Sequence, residues 1–314
     1  VAPVVLMLTP MLPTVVEACE ERFDLVKLWE ADDPAVLLRE RGGEVLAVAT
    51  NGQRPVDDAL LDQLPKLQIV AHFGVGYDSV DTDATRARGV VVTNTPEVLD
   101  AEVADTAMGL LLMTVRELGA AERYLRAGRW EHEGPYRLTP HTLAGRTLGI
   151  LGLGRIGLEI AKRAEPFGLR IAYHNRNRRT DVDYPYYPSA RELAAAVDTL
   201  MVVVPGGRAT RHLVDADVLA ALGPNGIVIN IGRGSVVDTQ ALITALREGT
   251  IGGAGLDVYE DEPHVPQELI DMETVVLLPH VGSASLATRR AMGQLVVDNL
   301  ISWFERGTAL TPVP

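Results

Sequence analysis

Gly152-Leu153-Gly154-Arg155-Ile156-Gly157 lies between an apolar run, Thr147-Leu148-Gly149-Ile150-Leu151, and a stretch, Leu158-Glu159-Ile160-Ala161-Lys162-Arg163, that reads as a helix. Strand, glycine turn and helix in that order are what a dinucleotide pyrophosphate requires. The first glycine permits the tight turn and the second lets the backbone approach the phosphates. The third lets helix and strand pack closely, and the helix N-terminus faces the anion. In a chain with 29 glycines the six residues alone carry little, but the flanking strand and helix make them a nucleotide-binding candidate. The motif starts at mid-chain, so something else is built before it.

The preceding third alternates short apolar runs with helical stretches. Strands are expected at Val4–Leu8, Leu25–Trp29, Val45–Thr50, Leu67–Phe73 and Val90–Thr93, with helices at Pro34–Arg41 and Asp57–Gln63. Their continuous Val/Ile/Leu character suits parallel strands buried on both faces. A long Ala/Leu/Met/Glu-rich helix is expected from about Ala101 to Ala127. From Thr147 a second βαβ series continues through Arg170–His174, Thr199–Val204, Gly226–Ile231, Ala254–Val258 and Thr274–Leu278. A last helix, about Leu286 to Phe304, is expected to return to the first domain. Tyr184-Pro185-Tyr186-Tyr187-Pro188 reads as a surface loop.

The 314 residues suffice for two cores. The fold expected is α/β, with two doubly wound parallel-sheet domains: residues 1–97 and 286–314 form one, and residues 98–285 are inserted as the other. Lys and Arg number 29 against 42 Asp and Glu, a net charge of -13 that argues against a nucleic-acid partner. The one cysteine, Cys19, forms no internal disulfide and fits a reducing, cytoplasmic setting. The apolar start, Val1 to Leu12, lacks a basic region and is read as a buried strand rather than a targeting segment. No stretch reaches the apolar length of a membrane span.

Three residues end a strand or follow one, where open α/β sheets bind their ligands. Arg233 lies in Asn230-Ile231-Gly232-Arg233-Gly234, Glu262 in Asp257-Val258-Tyr259-Glu260-Asp261-Glu262-Pro263, and His280 in Leu278-Pro279-His280-Val281-Gly282-Ser283. Singly, a capping arginine, a solvated acidic turn and a loop histidine would explain them. Jointly, after a glycine loop, they point to a site.

Their order and spacing resemble the D-isomer-specific 2-hydroxyacid dehydrogenases over almost the whole chain. Phe73-Gly74-Val75-Gly76-Tyr77-Asp78, Val92-Thr93-Asn94-Thr95-Pro96, Asn230–Asp238, Gly253–Pro263, Pro279–Ser283 and Leu310-Thr311-Pro312-Val313 carry the resemblance too. It is strongest to the glyoxylate/hydroxypyruvate and hydroxyphenylpyruvate reductase branch. The resemblance implies a Rossmann cofactor domain inserted in a flavodoxin-like substrate domain, with the active site in the cleft between them. It implies reduction of a small 2-oxo acid to the D-2-hydroxy acid with a nicotinamide cofactor.

Residue by residue, the resemblance makes Arg233 a planar fork for the carboxylate and carbonyl of the substrate. His280 becomes the acid in reduction and the base in oxidation. Glu262 accepts from the other imidazole nitrogen and favours the imidazolium. The backbone amides of Val75 and Gly76 hold the substrate carboxylate, and Asp257 meets the nicotinamide carboxamide. The implied cofactor set contains Gly152, Gly154, Arg155, Ile156 and Gly157 of the loop. It continues with Val204, Pro205, Ile231, Asp257, His280 and Gly282.

An NAD site normally shows a carboxylate roughly 20 residues after the glycine loop, on the ribose hydroxyls. Here the position falls on Asn175, in His174-Asn175-Arg176-Asn177-Arg178-Arg179, and no acid follows until Asp181. A neutral amide with Arg176 and Arg178 beside it suits a 2′-phosphate, so NADPH is expected in preference to NADH, with Arg176 as the main phosphate contact. Arg155 either reaches the pyrophosphate or lies on the surface.

Trp130-Glu131-His132-Glu133 and His141 fit no compact metal set and are read as loop residues. By resemblance, Trp130 and Tyr136 reach a substrate pocket across a homodimer formed through the long helix and the segment after it. Two other functions stay open: a formate- or phosphite-type dehydrogenase of the same superfamily, and a nucleotide-sensing protein without turnover.

Overall fold

The computed structural model describes residues 2–314; Val1, with which the first expected domain begins, lies outside them. The chain divides into two compact units, one running to Leu99 and resuming at Ala284–Pro314, the other Asp100–Ser283.

The first unit holds a sheet of β1 (Val4–Met7), β2 (Asp24–Lys27), β3 (Val45–Thr50), β4 (Ile69–His72) and β5 (Val91–Thr93). The strands are parallel and ordered β2-β1-β3-β4-β5, the flavodoxin-like pattern. Leu6, Val26, Val48, Val70 and Val92 contribute to a core buried beside helix-borne apolar residues such as Leu61 and Ala84. The strand expected at Leu25–Trp29 stops at Lys27, because Leu28–Glu30 turns into a 3-10 helix that buries Leu28. Pro13–Glu20, to which no element was assigned from the sequence, is a helix that starts on its proline and buries Val15 and Cys19. The helix Leu286–Arg306 belongs to this unit and holds the chain end. Asn299 is fully buried and accepts from the N–H groups of Leu310 and Thr311 at 2.9 and 3.1 Å. Its amide donates to Thr311 Oγ1 at 2.9 Å.

The second unit contains β6 (Thr147–Leu151), β7 (Arg170–His174), β8 (Thr199–Val202), β9 (Ile227–Asn230), β10 (Gly253–Leu256) and β11 (Val275–Leu277). All neighbours are parallel, in the order β11-β10-β9-β8-β6-β7. Past β7, Tyr186 forms an isolated parallel bridge with Tyr173. Tyr173 N–H donates to Pro185 C=O and Tyr187 N–H to Tyr173 C=O, both at 2.9 Å. The tyrosine-proline segment expected to be a surface loop is therefore a vestigial third strand at the edge of a Rossmann sheet.

The single long helix expected at Ala101–Ala127 is broken. Asp100–Val115 and Leu118–Arg126 are separate helices, and Glu117 between them has φ 52°. The break turns the Glu117 carboxylate inward, where Tyr136 Oη donates at 3.0 Å and Arg137 Nη2 pairs at 2.7 Å. Helical composition carries no sign of that pairing. Arg129–Glu133, expected as loop, makes a short helix.

Candidate active site

The second unit's strands end in register. Leu151 pairs with His174 and Val202, Val202 with Asn230, Asn230 with Leu256, and Leu256 with Leu277. Each is the last residue of its strand, so the following residues emerge along one edge of the sheet. Gly152, Asn175, Val204, Ile231, Asp257 and His280 all follow one of these ends. Parallel sheets bind ligands at this edge, beside the switch point that here lies between β6 and β8.

The glycine loop meets each requirement of a phosphate cradle. Gly152 has φ 104°, and a Cβ there would lie 2.8 Å from Val204 N. Gly157 packs its Cα face on the loop, with a Cβ reaching 2.5 Å from Gly152 O, whereas a Cβ on Gly154 would meet open space. The helix Arg155–Ala164 starts here with no side-chain cap, so its first N–H groups suit an anion. Arg155 leans toward the protein instead, its Nε donating to Asp100 Oδ2 at 3.2 Å.

Asn175 is used locally. Its Oδ1 accepts from Leu153 N at 2.6 Å and its Nδ2 donates to Leu153 O at 3.2 Å. The amide thus clasps the middle of the glycine loop. Arg179 Nη1 donates to the same carbonyl at 3.1 Å, and its Nε donates to Asp181 at 2.9 Å. That pairing holds Asp181 below its usual range and occupies the acid that follows the β7 end. Arg176 and Arg178 are exposed, and among the described residues neither has an acidic partner. Arg178 lies 5.9 Å over the Tyr186 ring.

The three residues singled out as catalytic candidates sit on adjacent strand ends. His280 Nδ1 donates to Glu262 Oε2 at 2.7 Å, while Tyr259 N–H donates to Glu262 Oε1 at 3.0 Å. Burial works against the ionised carboxyl of Glu262. The bonds from His280 and Tyr259 and the nearby charge of Arg233 outweigh it and hold the group below the usual carboxylate range. A Cβ on Gly234 would run into the Tyr259 carbonyl, so only glycine lets the Arg233 turn press against the loop carrying Glu262. Arg233 Nη1 donates to Gly232 O at 2.8 Å, and Asn230 Nδ2 to Arg233 O at 2.9 Å, which fixes the turn.

Asp257 has a part the sequence did not show. It is 1% exposed. Its carboxylate accepts from Val281 N at 2.7 Å and Gly282 N at 2.8 Å, and its carbonyl accepts from His280 N at 2.9 Å. Three consecutive N–H groups thus close on one residue, and His280 is held at φ 52°, where a side chain is strained. Burial pushes the Asp257 carboxyl up despite the two N–H bonds. Gly282 lies against this carboxylate and Ile231, and Thr106 Oγ1 donates to its carbonyl at 3.1 Å. Pro205 takes a 2.7 Å bond from Thr210 Oγ1 on its carbonyl.

In the first unit, Val75 and Gly76 follow the end of β4. Asn94 Nδ2 donates to Val75 O at 2.9 Å, and Thr95 braces Gly74 on both sides, accepting its N–H at 3.0 Å and donating to its carbonyl at 2.9 Å. Among the described residues nothing accepts from the N–H of Val75 or Gly76. Of the aromatic residues linked to the pocket by resemblance, Tyr136 is tied to Glu117 and Trp130 is 60% exposed. Among the described residues no three His, Cys, Asp or Glu side chains gather as a metal site, and no helix is long and apolar enough to cross a membrane.

The chain as a whole resembles known proteins. Residues 108–282 match the family described as D-isomer specific 2-hydroxyacid dehydrogenase, NAD binding domain. The chain is 48% identical to glyoxylate/hydroxypyruvate reductase A of Arabidopsis thaliana, over 98% of each protein. It is 45% identical to hydroxyphenylpyruvate reductase of Plectranthus scutellarioides, again over 98% of each. The structure of an NADPH-dependent glyoxylate/hydroxypyruvate reductase from Sinorhizobium meliloti, in complex with NADP and malonate, is 53% identical. It superposes with a TM-score of 0.95, covering 100% of this chain and 97% of that one. This chain therefore belongs to the D-isomer-specific 2-hydroxyacid dehydrogenases, enzymes with a nicotinamide-dinucleotide domain.

Proposed function

We propose that this enzyme reduces a small 2-oxo acid, glyoxylate, hydroxypyruvate or a close analogue, to the D-2-hydroxy acid, with NADPH preferred over NADH. The observation that carries the reading is the 2.7 Å bond between His280 Nδ1 and an ionised Glu262, set beside Arg233 on the ligand-binding edge. The unit spanning Asp100–Ser283 serves as cofactor domain and the other as substrate domain.

Because Glu262 accepts the Nδ1–H hydrogen bond, the ring is fixed and Nε2 is the atom that exchanges a proton with substrate. When bound, the reduced nicotinamide supplies the hydride. His280 Nε2 gives its proton to the carbonyl oxygen as that oxygen gains negative charge, and Glu262 stabilises the imidazolium beforehand. Arg233 binds the substrate carboxylate and polarises the adjacent carbonyl. The N–H groups of Val75 and Gly76 are the further carboxylate donors. A nucleotide-sensing protein has no need of this trio, and substrate-dependent cofactor oxidation separates the two.

The residues fit the dinucleotide. The uncapped helix start and the open side of Gly154 receive the pyrophosphate, with Arg155, Ile156 and Gly157 supplying N–H groups. Val204, Pro205, Ile231, Asp257 and Gly282 wall the nicotinamide end. Arg176, aided by Arg178, takes the 2′-phosphate, in line with the NADPH dependence of the Sinorhizobium relative. Replacing Arg176 with Ala should raise KM for NADPH about ten-fold or more while leaving NADH within two-fold. Equal loss with both would contradict the assignment.

The enzyme acts as a homodimer in this proposal. Leu125, Trp130 and Leu138, 55%, 60% and 95% exposed, offer the apolar surface for a second copy. Sedimentation at two concentrations checks it. A cytoplasmic setting suits Cys19, whose thiol burial pushes up to about 11.

A further inference from the structure

We propose that the segment Tyr184–Pro188 is a cofactor-selectivity strap, in which the Tyr186 ring presets the arginine loop for a 2′-phosphate; the inference rests on the NADPH reading. The strap is fastened along the end of β7 and the turn that follows it. Besides its two main-chain bonds with Tyr173, the carbonyl of Tyr187 accepts from His174 Nδ1 at 2.8 Å. Tyr184 Oη donates to Glu165 Oε1 at 2.9 Å and anchors the strap's other end.

Tyr186 itself lies against the end of β7 and the turn beyond it. Its ring stacks on His174 at 24° with centroids 6.3 Å apart and tilts against Tyr173 at 5.4 Å. Its hydroxyl reaches the Asn175 carbonyl at 3.4 Å. The Arg178 guanidinium sits over the same ring at 5.9 Å, a cation–π distance. The turn's far end is closed by Tyr173, whose hydroxyl donates to Arg179 O at 3.3 Å and accepts from Arg179 N at 3.0 Å. Arg176 and Arg178 are thus carried on a turn gripped from both sides. Binding a phosphate there immobilises less chain than on a free loop. An unphosphorylated ribose has no use for the two arginines, so the gain falls on NADP+ alone.

Calorimetric titration with NADP+ and NAD+ tests this on the wild type and on Tyr186→Leu, Tyr186→Phe and Arg176→Ala. Tyr186→Leu should weaken NADP+ about three- to five-fold, the size of an exposed cation–π contact. NAD+ should stay within two-fold and serve as the internal check on folding. Tyr186→Phe keeps the ring and should keep both affinities. An unchanged NADP+/NAD+ ratio in Tyr186→Leu, with the ratio lost in Arg176→Ala, would overturn the strap alone. Equal weakening of both nucleotides in Tyr186→Leu would overturn it too, by showing general damage to the loop. An unchanged ratio in Arg176→Ala would instead remove the phosphate reading beneath it.

Discussion

At the scale of single residues, the site rests on a carboxylate kept charged and another kept buried. Glu262 has a depressed folded value, so the stability it lends is present above its unfolded pKa and is lost as pH falls through the folded one. Replacing it with Gln removes the charge that favours the imidazolium. In this variant kcat for reduction at neutral pH should fall about ten-fold. An unchanged kcat would show that Glu262 only packs. Asp257 has the opposite sign. Its raised value means that the protonated form is favoured on folding, so its contribution is present below the unfolded pKa and lost as pH rises through the folded one. In Asp257→Asn one of the N–H groups of Val281 and Gly282 faces an amide donor rather than an acceptor. We expect kcat to fall about ten- to hundred-fold, as a slightly displaced acid requires. Unaltered turnover would remove Asp257 as a positioning residue. Arg233, Glu262 and His280 were singled out by their order and spacing after the glycine loop, and the structure brings His280 and Glu262 into hydrogen-bond contact. The Asp257 clamp was not, because it depends on the register of β10 with β11 and on the left-handed turn at His280.

At the scale of elements, the strands were legible to within a few residues, since continuous Val/Ile/Leu runs have one use in a parallel sheet. Val45–Thr50, Thr147–Leu151 and Arg170–His174 have the expected bounds. What escaped was decided by partners far along the chain. Glu117 breaks a helix to reach Tyr136 and Arg137, and Tyr186 joins an edge although two prolines flank its segment. The C-terminal tail is another such case. Among the described residues Asn299 alone satisfies the N–H groups of Leu310 and Thr311, so Asn299→Ala should cost about 2–3 kcal/mol in denaturant unfolding. A loss under about 0.5 kcal/mol would mean that the tail is not held by this side chain.

At the scale of the molecule, the chain builds two doubly wound units. The unit that interrupts the other carries the dinucleotide edge and the trio, and its match to the family's NAD binding domain covers residues 108–282. The succession of apolar runs and the glycine loop made this architecture readable. The width of the substrate pocket was not readable, since glyoxylate and an aryl 2-oxo acid differ only in a side chain that loops must accommodate. The most direct measurement is initial-rate oxidation of NADPH with glyoxylate or hydroxypyruvate, run on wild type and His280→Ala beside NADPH binding to each. The account predicts substrate-dependent oxidation by the wild type, about hundred-fold or more slower in His280→Ala, with NADPH affinity retained. Near-normal turnover in His280→Ala, or no turnover of any 2-oxo acid by a wild type that binds NADPH, would contradict it.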